Sequence, residues 1–240
     1  MELRVCVLAA GQGKRMNSDL PKVMHPLAGK PMIDHVLDTA LQVTTTQPVV
    51  VYGHGGEVLQ RHLASRALVW AEQRQQLGTG HAVAQALPAL PPDCLVLILY
   101  GDVPLLSADT LNRLVNAATE SGFGLLTMDL ADPTGYGRIT RDARGEVCAI
   151  VEHRDANAEV RAIREVNTGV MALRGEYLHR WLPKLKTHNA QGEYYLTDCV
   201  ALAVNEGIRV ASVKATSEAE VLGVNTRNQL AFLELSLIHI

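Results

Sequence analysis

The chain has 240 residues, of which 48% are hydrophobic and 20% are charged, and its formal net charge is -3. This length is sufficient for one large domain with a closed hydrophobic core. The slightly acidic balance excludes the broadly basic surface that a nucleic-acid-binding protein uses to attract phosphates, so we expect no nucleic-acid partner. Any phosphate ligand would have to be bound by a few local cations.

The cysteines and the apolar segments indicate a cellular location. The four cysteines are far apart in sequence and form no metal-binding or redox pair, which is typical of core residues in a reducing cytoplasm. Uncharged apolar stretches are shorter than a membrane span, and residues 1–4 lead into a strand-like segment without a signal peptide. We therefore predict a cytoplasmic protein without membrane insertion.

The first half of the chain alternates strand-like and helix-like segments. Short apolar runs predict strands buried on both faces at residues 5–8, 49–52, 68–70 and 94–100. Apolar residues at helical spacing predict helices at residues 32–43, 57–64 and 108–119. Ser107 is a suitable N-cap for the third helix. This alternation predicts an α/β fold with a Rossmann-like, mainly parallel sheet flanked by helices.

After residue 123 the pattern changes. Further elements are predicted as strands at residues 124–129 and 166–173 and a helix at residues 195–205. Residues 138–140 and 147–151 flank a short segment containing Gly145, which predicts a hairpin. We therefore expect the second half to form a small antiparallel extension on the α/β core, within a single unit.

The first predicted strand ends in a glycine-rich turn. The sequence there is Leu8-Ala9-Ala10-Gly11-Gln12-Gly13-Lys14-Arg15-Met16, followed by Pro21-Lys22. Two glycines at the carboxyl end of a strand let the backbone approach a ligand and direct N–H groups at phosphate. In an open α/β sheet this edge is where ligands bind. The alternative is an ordinary turn followed by solvated lysines.

Two other phosphate loops do not fit this turn. The dinucleotide-binding fingerprint has a third glycine where this chain has Met16, and the loop ending in Gly-Lys-Ser/Thr is absent. The cations Lys14, Arg15 and Lys22 favour a triphosphate instead. With Pro21-Lys22 at this distance, the pattern resembles the signature of sugar-phosphate and related nucleotidyltransferases.

A carboxylate follows the strand predicted at residues 94–100. Asp102 lies between Gly101 and a turn braced by Pro104, at the same predicted sheet edge as the glycine turn. Magnesium prefers a few protein oxygens and completes its coordination with phosphate and water, so Asp102 with one neutral oxygen donor would suffice. Asn225 is a candidate for that donor, although spacing alone does not bring it to Asp102. The alternative is that Asp102 only caps the turn.

These stretches occur together with others in a fixed order. The other stretches are Glu72-Gln73, Gln76-Leu77-Gly78-Thr79-Gly80-His81-Ala82, Asp132-Pro133-Thr134-Gly135-Tyr136-Gly137-Arg138-Ile139, Val151-Glu152-His153, Asn167-Thr168-Gly169, Gln191-Gly192-Glu193-Tyr194-Tyr195-Leu196-Thr197-Asp198 and Gly223-Val224-Asn225. Over roughly residues 3–230, the chain resembles the amino-terminal domain of the bacterial bifunctional N-acetylglucosamine-1-phosphate uridylyltransferase/glucosamine-1-phosphate acetyltransferases (the GlmU family).

The resemblance implies a fold of the nucleotide-diphospho-sugar transferase type and a role for each matching residue. The nucleotide would be bound by Leu8, Ala9, Ala10, Gly11, Gln73, Gly78 and Thr79. Substrate-binding roles also fall on Tyr100 and Gly101, and the sugar would be surrounded by Gly137, Glu152, Asn167 and Thr197. The catalytic cations would be Arg15 and Lys22, and a Mg²⁺ cofactor would be held by Asp102 and Asn225. The histidines, His81 and His153 included, match no such role, and we expect them to be structural or exposed.

The implied reaction joins UTP to N-acetylglucosamine 1-phosphate and releases UDP-N-acetylglucosamine and pyrophosphate by Mg²⁺-assisted in-line displacement. Two alternatives stay open, namely a nucleotidyltransferase for another sugar or isoprenoid phosphate, and a non-catalytic nucleotide-sugar-binding module. Residues 167–169 and 191–195 favour the amino sugar. The presence of both cations and both metal-ligand candidates favours an enzyme.

The resemblance also sets expectations for domain organisation. We predict a nucleotidyltransferase domain over residues 1–227 and the start of a truncated linker helix at residues 228–240. Full-length members of the family continue into a β-helix of hexapeptide repeats that carries acetyltransferase activity and forms a trimer. Residues 235–240 do not look like that continuation. We therefore expect a short form that lacks acetyl transfer and is a monomer or a weak oligomer.

Overall fold

The computed structural model describes residues 1–240 except Gln12, Asn17, Asp19, His54, His239 and Ile240. Gln12 of the glycine turn and the last two residues of the predicted linker helix therefore lie outside the described residues. The described chain contains a nine-stranded mixed sheet and a separate two-stranded hairpin. None of its helices is both long enough and apolar enough to cross a membrane.

Strands and helices alternate through most of the first half of the chain, whereas β7, β8 and β9 follow one another without an intervening helix. The strands are β1 (Leu3–Ala9), β2 (Pro26–Leu27), β3 (Lys30–Pro31), β4 (Val49–Tyr52), β5 (Val69–Glu72), β6 (Leu95–Tyr100), β7 (Phe123–Asp129), β8 (Arg138–Arg141), β9 (Val147–Val151), β10 (Glu165–Arg174) and β11 (Val210–Lys214). The helices are α1 (Met32–Val43), α2 (Gly56–His62), α3 (Thr79–Ala86), α4 (Ala108–Ser121), α5 (Ala158–Arg161), α6 (Gly175–Trp181), α7 (Asp198–Asn205), α8 (Glu218–Val221) and α9 (Arg227–Ile238).

The main sheet has the strand order β11-β7-β10-β6-β1-β4-β5. β1 pairs in parallel with β4 and β6, β4 pairs in parallel with β5, and β11 pairs in parallel with β7. β10 is antiparallel to both of its neighbours, β6 and β7. The hairpin of β8 and β9 is attached through β8 to the start of β10. The predicted fold class, a mainly parallel sheet with a small antiparallel extension, is confirmed.

Two apolar layers cover the two faces of this sheet. One layer packs α3, α6 and α7 against the sheet, and it contains three cysteines, Cys6, Cys94 and Cys199, as expected for core residues. The other layer packs α1, α2 and α4 against the opposite face. A third, smaller cluster joins Leu233 of α9 to Met16, beside the glycine turn. The arrangement is therefore helix, sheet, helix in three layers.

Two expectations about the second half of the chain were wrong in detail. β7 and β11 pair in parallel within the main sheet, so the antiparallel part is limited to β10 and the β8–β9 hairpin. The helix predicted at residues 195–205 begins only at Asp198. The backbone N–H of Leu196 donates to Thr79 Oγ1 at 3.1 Å, so this part of the chain is bound to the start of α3 and does not continue the helix.

A buried carboxylate fixes the segment that leads to Asn225. Glu220 of α8 is 5% exposed, and it accepts hydrogen bonds from the N–H and hydroxyl groups of Ser107 and Thr216. Burial by itself raises the pKa of Glu220, but the hydrogen bonds from Ser107 and Thr216 outweigh it and hold the pKa below its usual range. Ser107 also caps α4, as predicted, by accepting from the N–H of Thr110 at 3.2 Å.

We predict that Glu220→Ala lowers the free energy of unfolding by about 2–4 kcal/mol, because it leaves buried donors without an acceptor. A group with a lowered folded-state pKa stabilises the protein above its unfolded pKa and loses this contribution as pH falls through the folded value. The difference in the free energy of unfolding between Glu220→Ala and wild type should therefore shrink as the pH is lowered. Urea unfolding at several pH values measures it. Glu218→Ala, on the exposed face of α8, is the matched control, and equal stability of the two variants would contradict the prediction.

Candidate active site

The predicted site residues gather at one edge of the sheet. β1 and β6 are parallel neighbours, and they end at Ala9 and Tyr100, respectively, at the same edge. The N–H of Gly101 donates to Leu8 O at 2.9 Å, which extends their pairing beyond β6. Because β10 runs antiparallel to β6, its first residues lie at this edge too. Three strands therefore deliver their loops to a single surface.

The glycine turn allows Lys22 to pass close to β1. Gly13 has φ +62°, in the left-handed region, and a Cβ atom there would lie 2.7 Å from Lys22 Cβ. A side chain at this position would therefore push Lys22 away and strain the backbone. The close contact of Gly13 with Lys22 therefore joins the glycine turn to the Pro21-Lys22 part of the motif.

Four side chains from distant parts of the sequence meet where the turn faces β6. The ammonium of Lys22 donates to Asp102 Oδ2 and, at 3.1 Å, to Asn225 Oδ1. The guanidinium of Arg15 also donates to Asn225 Oδ1 at 3.1 Å. We refer to Arg15, Lys22, Asp102 and Asn225 as the Lys22 cluster. Asn225, which sequence spacing could not connect to Asp102, is thus adjacent to it.

Backbone hydrogen bonds hold Asn225 in this place. The N–H of Val224 donates to Asp102 O at 2.8 Å, which joins the two segments directly. Gln229 of α9 accepts from the N–H of Asn225 at 2.8 Å and from the N–H of Thr226 at 3.0 Å. The backbone on both sides of Asn225 is therefore anchored.

A first cleft of about 300 Å³ lies on one side of the Lys22 cluster. All seven predicted nucleotide-binding residues line it, namely Leu8, Ala9, Ala10, Gly11, Gln73, Gly78 and Thr79. Gly78 has φ +111°, and a Cβ atom there would lie 2.6 Å from Tyr194 O, so only glycine fits between the two segments. The cleft is bounded by a tightly packed loop rather than by an open turn.

A second cleft of about 320 Å³ lies on the other side of the cluster. It is lined by three of the predicted sugar-binding residues, namely Gly137, Glu152 and Asn167. Asn167 Oδ1 accepts from the N–H of Gly169 at 3.0 Å, so the amide nitrogen of Asn167 is the end left for a ligand. Tyr100 and Asp102 line both clefts, which therefore meet at the Lys22 cluster.

Burial changes the titration of two groups in the second cleft. It raises the pKa of Glu152, although a hydrogen bond from Thr197 Oγ1 at 3.0 Å opposes the shift. It also raises the pKa of the Tyr100 phenol, and the carboxylates of Glu152 and Asp102 raise it further. Tyr100 therefore stays neutral and serves as a wall of the cleft.

Two predicted substrate-binding residues lie beside the clefts rather than in their walls. Gly101 is buried, and a Cβ atom there would lie 2.9 Å from Val23 Cγ1. Thr197 is 6% exposed and contacts the second cleft through Glu152. Conversely, sequence reasoning assigned no role to several lining residues, namely Gln76 and Glu193 in the first cleft and Tyr136 and Gln229 in the second. Gln76, Glu193 and Tyr136 belong to the motif stretches quoted above, and this membership is the sequence feature that could have identified them as lining residues.

The Lys22 cluster provides oxygen ligands suited to a hard cation. The part of the chain that the structure describes contains no group of three or more His, Cys, Asp and Glu side chains placed to hold a metal. Magnesium needs only one or two protein oxygens when phosphate and water supply the rest. Asp102 Oδ2 and Asn225 Oδ1 already converge on one cation, the ammonium of Lys22. The donor pair therefore suits a divalent cation whose coordination is completed by phosphate and water.

Residues 5–180 match the MobA-like NTP transferase domain. The chain belongs to this family. Among curated relatives, the "Bifunctional protein GlmU" of Dechloromonas aromatica (strain RCB) is 58% identical over 232 residues, which are 97% of this chain and 51% of the relative. The protein of the same name from Nitrosospira multiformis is 55% identical over 97% of this chain and 51% of its own length. The resemblance to the GlmU family is thus confirmed, and this chain spans about half the length of the curated relatives it matches.

Solved structures share the fold of this MobA-like NTP transferase domain. A UDP-glucose pyrophosphorylase complexed with UDP-glucose has a TM-score of 0.81 at 17% identity, covering 100% of this chain and 99% of the other. A nucleotidyl transferase from Methanothermobacter thermautotroptrophicus has a TM-score of 0.68 at 19% identity, covering 99% and 98% of the two chains. At these identities the likeness concerns the fold alone.

We predict that Glu152→Gln stabilises this MobA-like NTP transferase domain at neutral pH. A carboxyl with a raised folded-state pKa contributes stability below its unfolded pKa and loses it as pH rises through the folded value. Glutamine resembles the protonated form, so it avoids the desolvation of the charge. The stability gain over wild type should be largest above the raised pKa and absent below about pH 4, where Glu is protonated in both states. Thermal unfolding across pH measures it, with Glu159→Gln on the exposed side of α5 as control. A gain that persists in acid would contradict the assignment.

Proposed function

We propose that this domain transfers UMP from UTP to N-acetylglucosamine 1-phosphate and releases UDP-N-acetylglucosamine and pyrophosphate. The observation that carries the proposal is the meeting of two clefts at the Lys22 cluster. One cleft would bind UTP and the other the sugar phosphate, so that the two phosphates meet beside Lys22 and Asp102. The identity with GlmU relatives along nearly the whole chain supports this assignment.

The amino sugar fits the chemistry of the second cleft. The amide nitrogen of Asn167, whose oxygen is bound to Gly169, can donate to the carbonyl of an N-acetyl group. The Glu152 carboxylate can accept from sugar hydroxyls. Both side chains lie at the same edge as Asp102. A sugar held by these groups would direct its 1-phosphate toward the Lys22 cluster.

The reaction requires charge neutralisation rather than proton transfer. A phosphate oxygen of the acceptor forms the bond to the α-phosphorus of UTP, and the bond between that phosphorus and pyrophosphate breaks. The attacking oxygen is already an anion at neutral pH, so no general base is needed. The obstacle is repulsion between two anions, which cations placed in advance can cancel. Lys22 would contact the phosphate oxygens, and Arg15 would bind the triphosphate tail and the departing pyrophosphate as a forked donor.

Asp102 and Asn225 would hold a divalent cation, which we propose to be Mg²⁺. Bound there, the ion would supply further neutralisation of phosphate charge. The protein's own contribution is to keep the two oxygen donors at the junction of the clefts. Lys22, which contacts both donors, keeps them together.

We predict that Asp102→Ala lowers kcat by about 10²-fold or more, because it removes the carboxylate that would hold the divalent cation at the reacting phosphates. Pyrophosphate release at saturating substrates measures kcat, and thermal unfolding checks that the fold is retained. Asp109→Ala, which removes an exposed carboxylate from α4, is the matched control. Turnover of Asp102→Ala or Arg15→Ala close to that of wild type would contradict the proposed roles.

We also predict that kcat/KM with UTP is higher for N-acetylglucosamine 1-phosphate than for glucose 1-phosphate. Asn167→Ala should reduce this preference by about tenfold, the effect of one good hydrogen bond. Pyrophosphate release with both acceptors decides between the amino sugar and another phosphate acceptor. Binding of UDP-N-acetylglucosamine without Mg²⁺-dependent turnover would instead identify a non-catalytic module.

A further inference from the structure

We propose that His81 is a positioning residue that makes the first cleft select a pyrimidine carrying a hydrogen on N3 over cytosine. It would do so by fixing the side-chain amide of Gln73 so that only the carbonyl oxygen of that amide faces the base. The inference rests on the proposed function, because it concerns the nucleotide of the same reaction.

Gln73 is held where it cannot reorient freely. The residue follows β5, and its N–H donates to Tyr52 O at 2.8 Å. It is 3% exposed and lines the first cleft. The side-chain amide must therefore satisfy its hydrogen bonds within the protein or with the ligand, because water has little access to it.

The contacts of Gln73 determine which end of the amide faces the cleft. Its Nε2 lies 3.1 Å from Gly78 O and 3.0 Å from His81 Nδ1. A backbone carbonyl can only accept, so the end that faces Gly78 must be the NH₂ group. The second hydrogen of this group then points at His81 Nδ1. That nitrogen must be the unprotonated, accepting one, and the ring proton is on Nε2.

Gln85, one helical turn further along α3, lies at the other nitrogen of the ring. Its amide is 3.2 Å from His81 Nε2 and 3.2 Å from His81 O. One imidazole cannot accept at both nitrogens, so one of the two glutamines has to present its oxygen to the ring. Gln85 is only half-buried and can rotate in contact with solvent, whereas Gln73 is enclosed. The proton on His81 Nε2 is therefore bound by Gln85 or water, and Gln73 keeps its orientation.

The ring of His81 is itself fixed. It lies in the first turn of α3 and stacks on Tyr194, with ring centroids 6.4 Å apart and an interplanar angle of 28°. The segment around Tyr194 is bound to the same turn, because the N–H of Gly80 donates to Tyr194 O at 2.8 Å. The acceptor that His81 offers to Gln73 is thus set by tertiary packing.

The fixed orientation of the Gln73 amide gives the first cleft a hydrogen-bond acceptor beside hydrogen-bond donors. Both hydrogens of the Gln73 amide are used, so Oε1 is what remains for the base. Thr79 begins α3 next to it, and N–H groups in the first turn of a helix lack helical acceptors. Uracil carries N3–H between two carbonyl oxygens, which complements this pattern. Cytosine has a lone pair at N3, which would face Oε1 and leave both groups without a partner. Thymine has the same edge as uracil and should not be excluded here.

The test compares substitutions of His81 in the complete chain. His81→Phe keeps a ring against Tyr194 and removes the acceptor, whereas His81→Asn can place an amide oxygen where Nδ1 lies. We expect His81→Phe to lower the ratio of kcat/KM for UTP to kcat/KM for CTP by about tenfold or more. The loss should come mainly from a raised KM for UTP, with kcat and the KM for the sugar phosphate retained. His81→Asn should restore the ratio. His188 is exposed and lines a surface groove together with His81, so His188→Phe is the matched control.

Several outcomes would overturn the inference. The first is a ratio of kcat/KM for UTP to kcat/KM for CTP in His81→Phe that equals the wild-type ratio. The second is an equal loss of kcat/KM for UTP and for CTP in both His81→Phe and His81→Asn. The third is a fall of the ratio in His188→Phe as large as that in His81→Phe. Binding of UMP and CMP, measured by calorimetry, separates this inference from the proposed function. If wild type binds UMP in preference to CMP and His81→Phe does not, the inference stands even where no turnover occurs.

A measurement on wild type covers the case in which His81→Phe does not fold. Nitrogen chemical shifts of the imidazole report which ring nitrogen carries the proton. We expect an unprotonated Nδ1 and a protonated Nε2 for His81. A proton on Nδ1 would overturn the inference, because Gln73 would then have to present its oxygen to His81 and its nitrogen to the base.

Discussion

The candidate site depends on one ionic contact, in which the ammonium of Lys22 lies between the carboxylate of Asp102 and the amide oxygen of Asn225. The side chains of Lys22 and Asp102 are only 13% and 14% exposed, so solvent screens their attraction less than it would at the surface. The three residues come from the turn after β1, the end of β6 and the segment before α9. The same contact therefore provides the charge of the site and joins the segments that form its two clefts.

The two clefts differ in how the protein forms their walls. Around the first, close approaches leave no room for side chains at Gly13 and Gly78, so the backbone itself shapes the wall. Around the second, buried polar groups are held by neighbours, as in the contact of Thr197 with Glu152. A buried carboxyl with a raised pKa destabilises the folded state when it is charged. A charge on Glu152 that costs folding stability is expected where the carboxylate serves to bind a ligand rather than to stabilise the fold.

The helices and strands agreed with the sequence-based predictions where buried apolar residues recur at a regular spacing. α1 spans the predicted residues, and β1, β4, β6 and β7 lie where continuous apolar runs placed them. α3 had no such pattern, because its first turn is a glycine-containing stretch that also forms a cleft wall. The start of α7 was misplaced because hydrogen bonds to α3 and to Glu152 hold residues 196–197 outside the helix. Local propensity gives way at these positions to contacts with distant residues.

The sequence by itself determined the class of fold, the edge of the sheet at which the candidate site lies and the inventory of charged and amide groups. These follow from periodicity, which reports burial, and from residue chemistry, which does not depend on neighbours. Only the tertiary structure decided that Asn225 reaches Asp102, that the lining residues divide between two clefts meeting at Tyr100, and that His81 Nδ1 lies 3.0 Å from the side-chain amide of Gln73. Hydrogen-bond partners distant in sequence depend on strand order and loop packing, and neither is encoded in the spacing of residues along the chain.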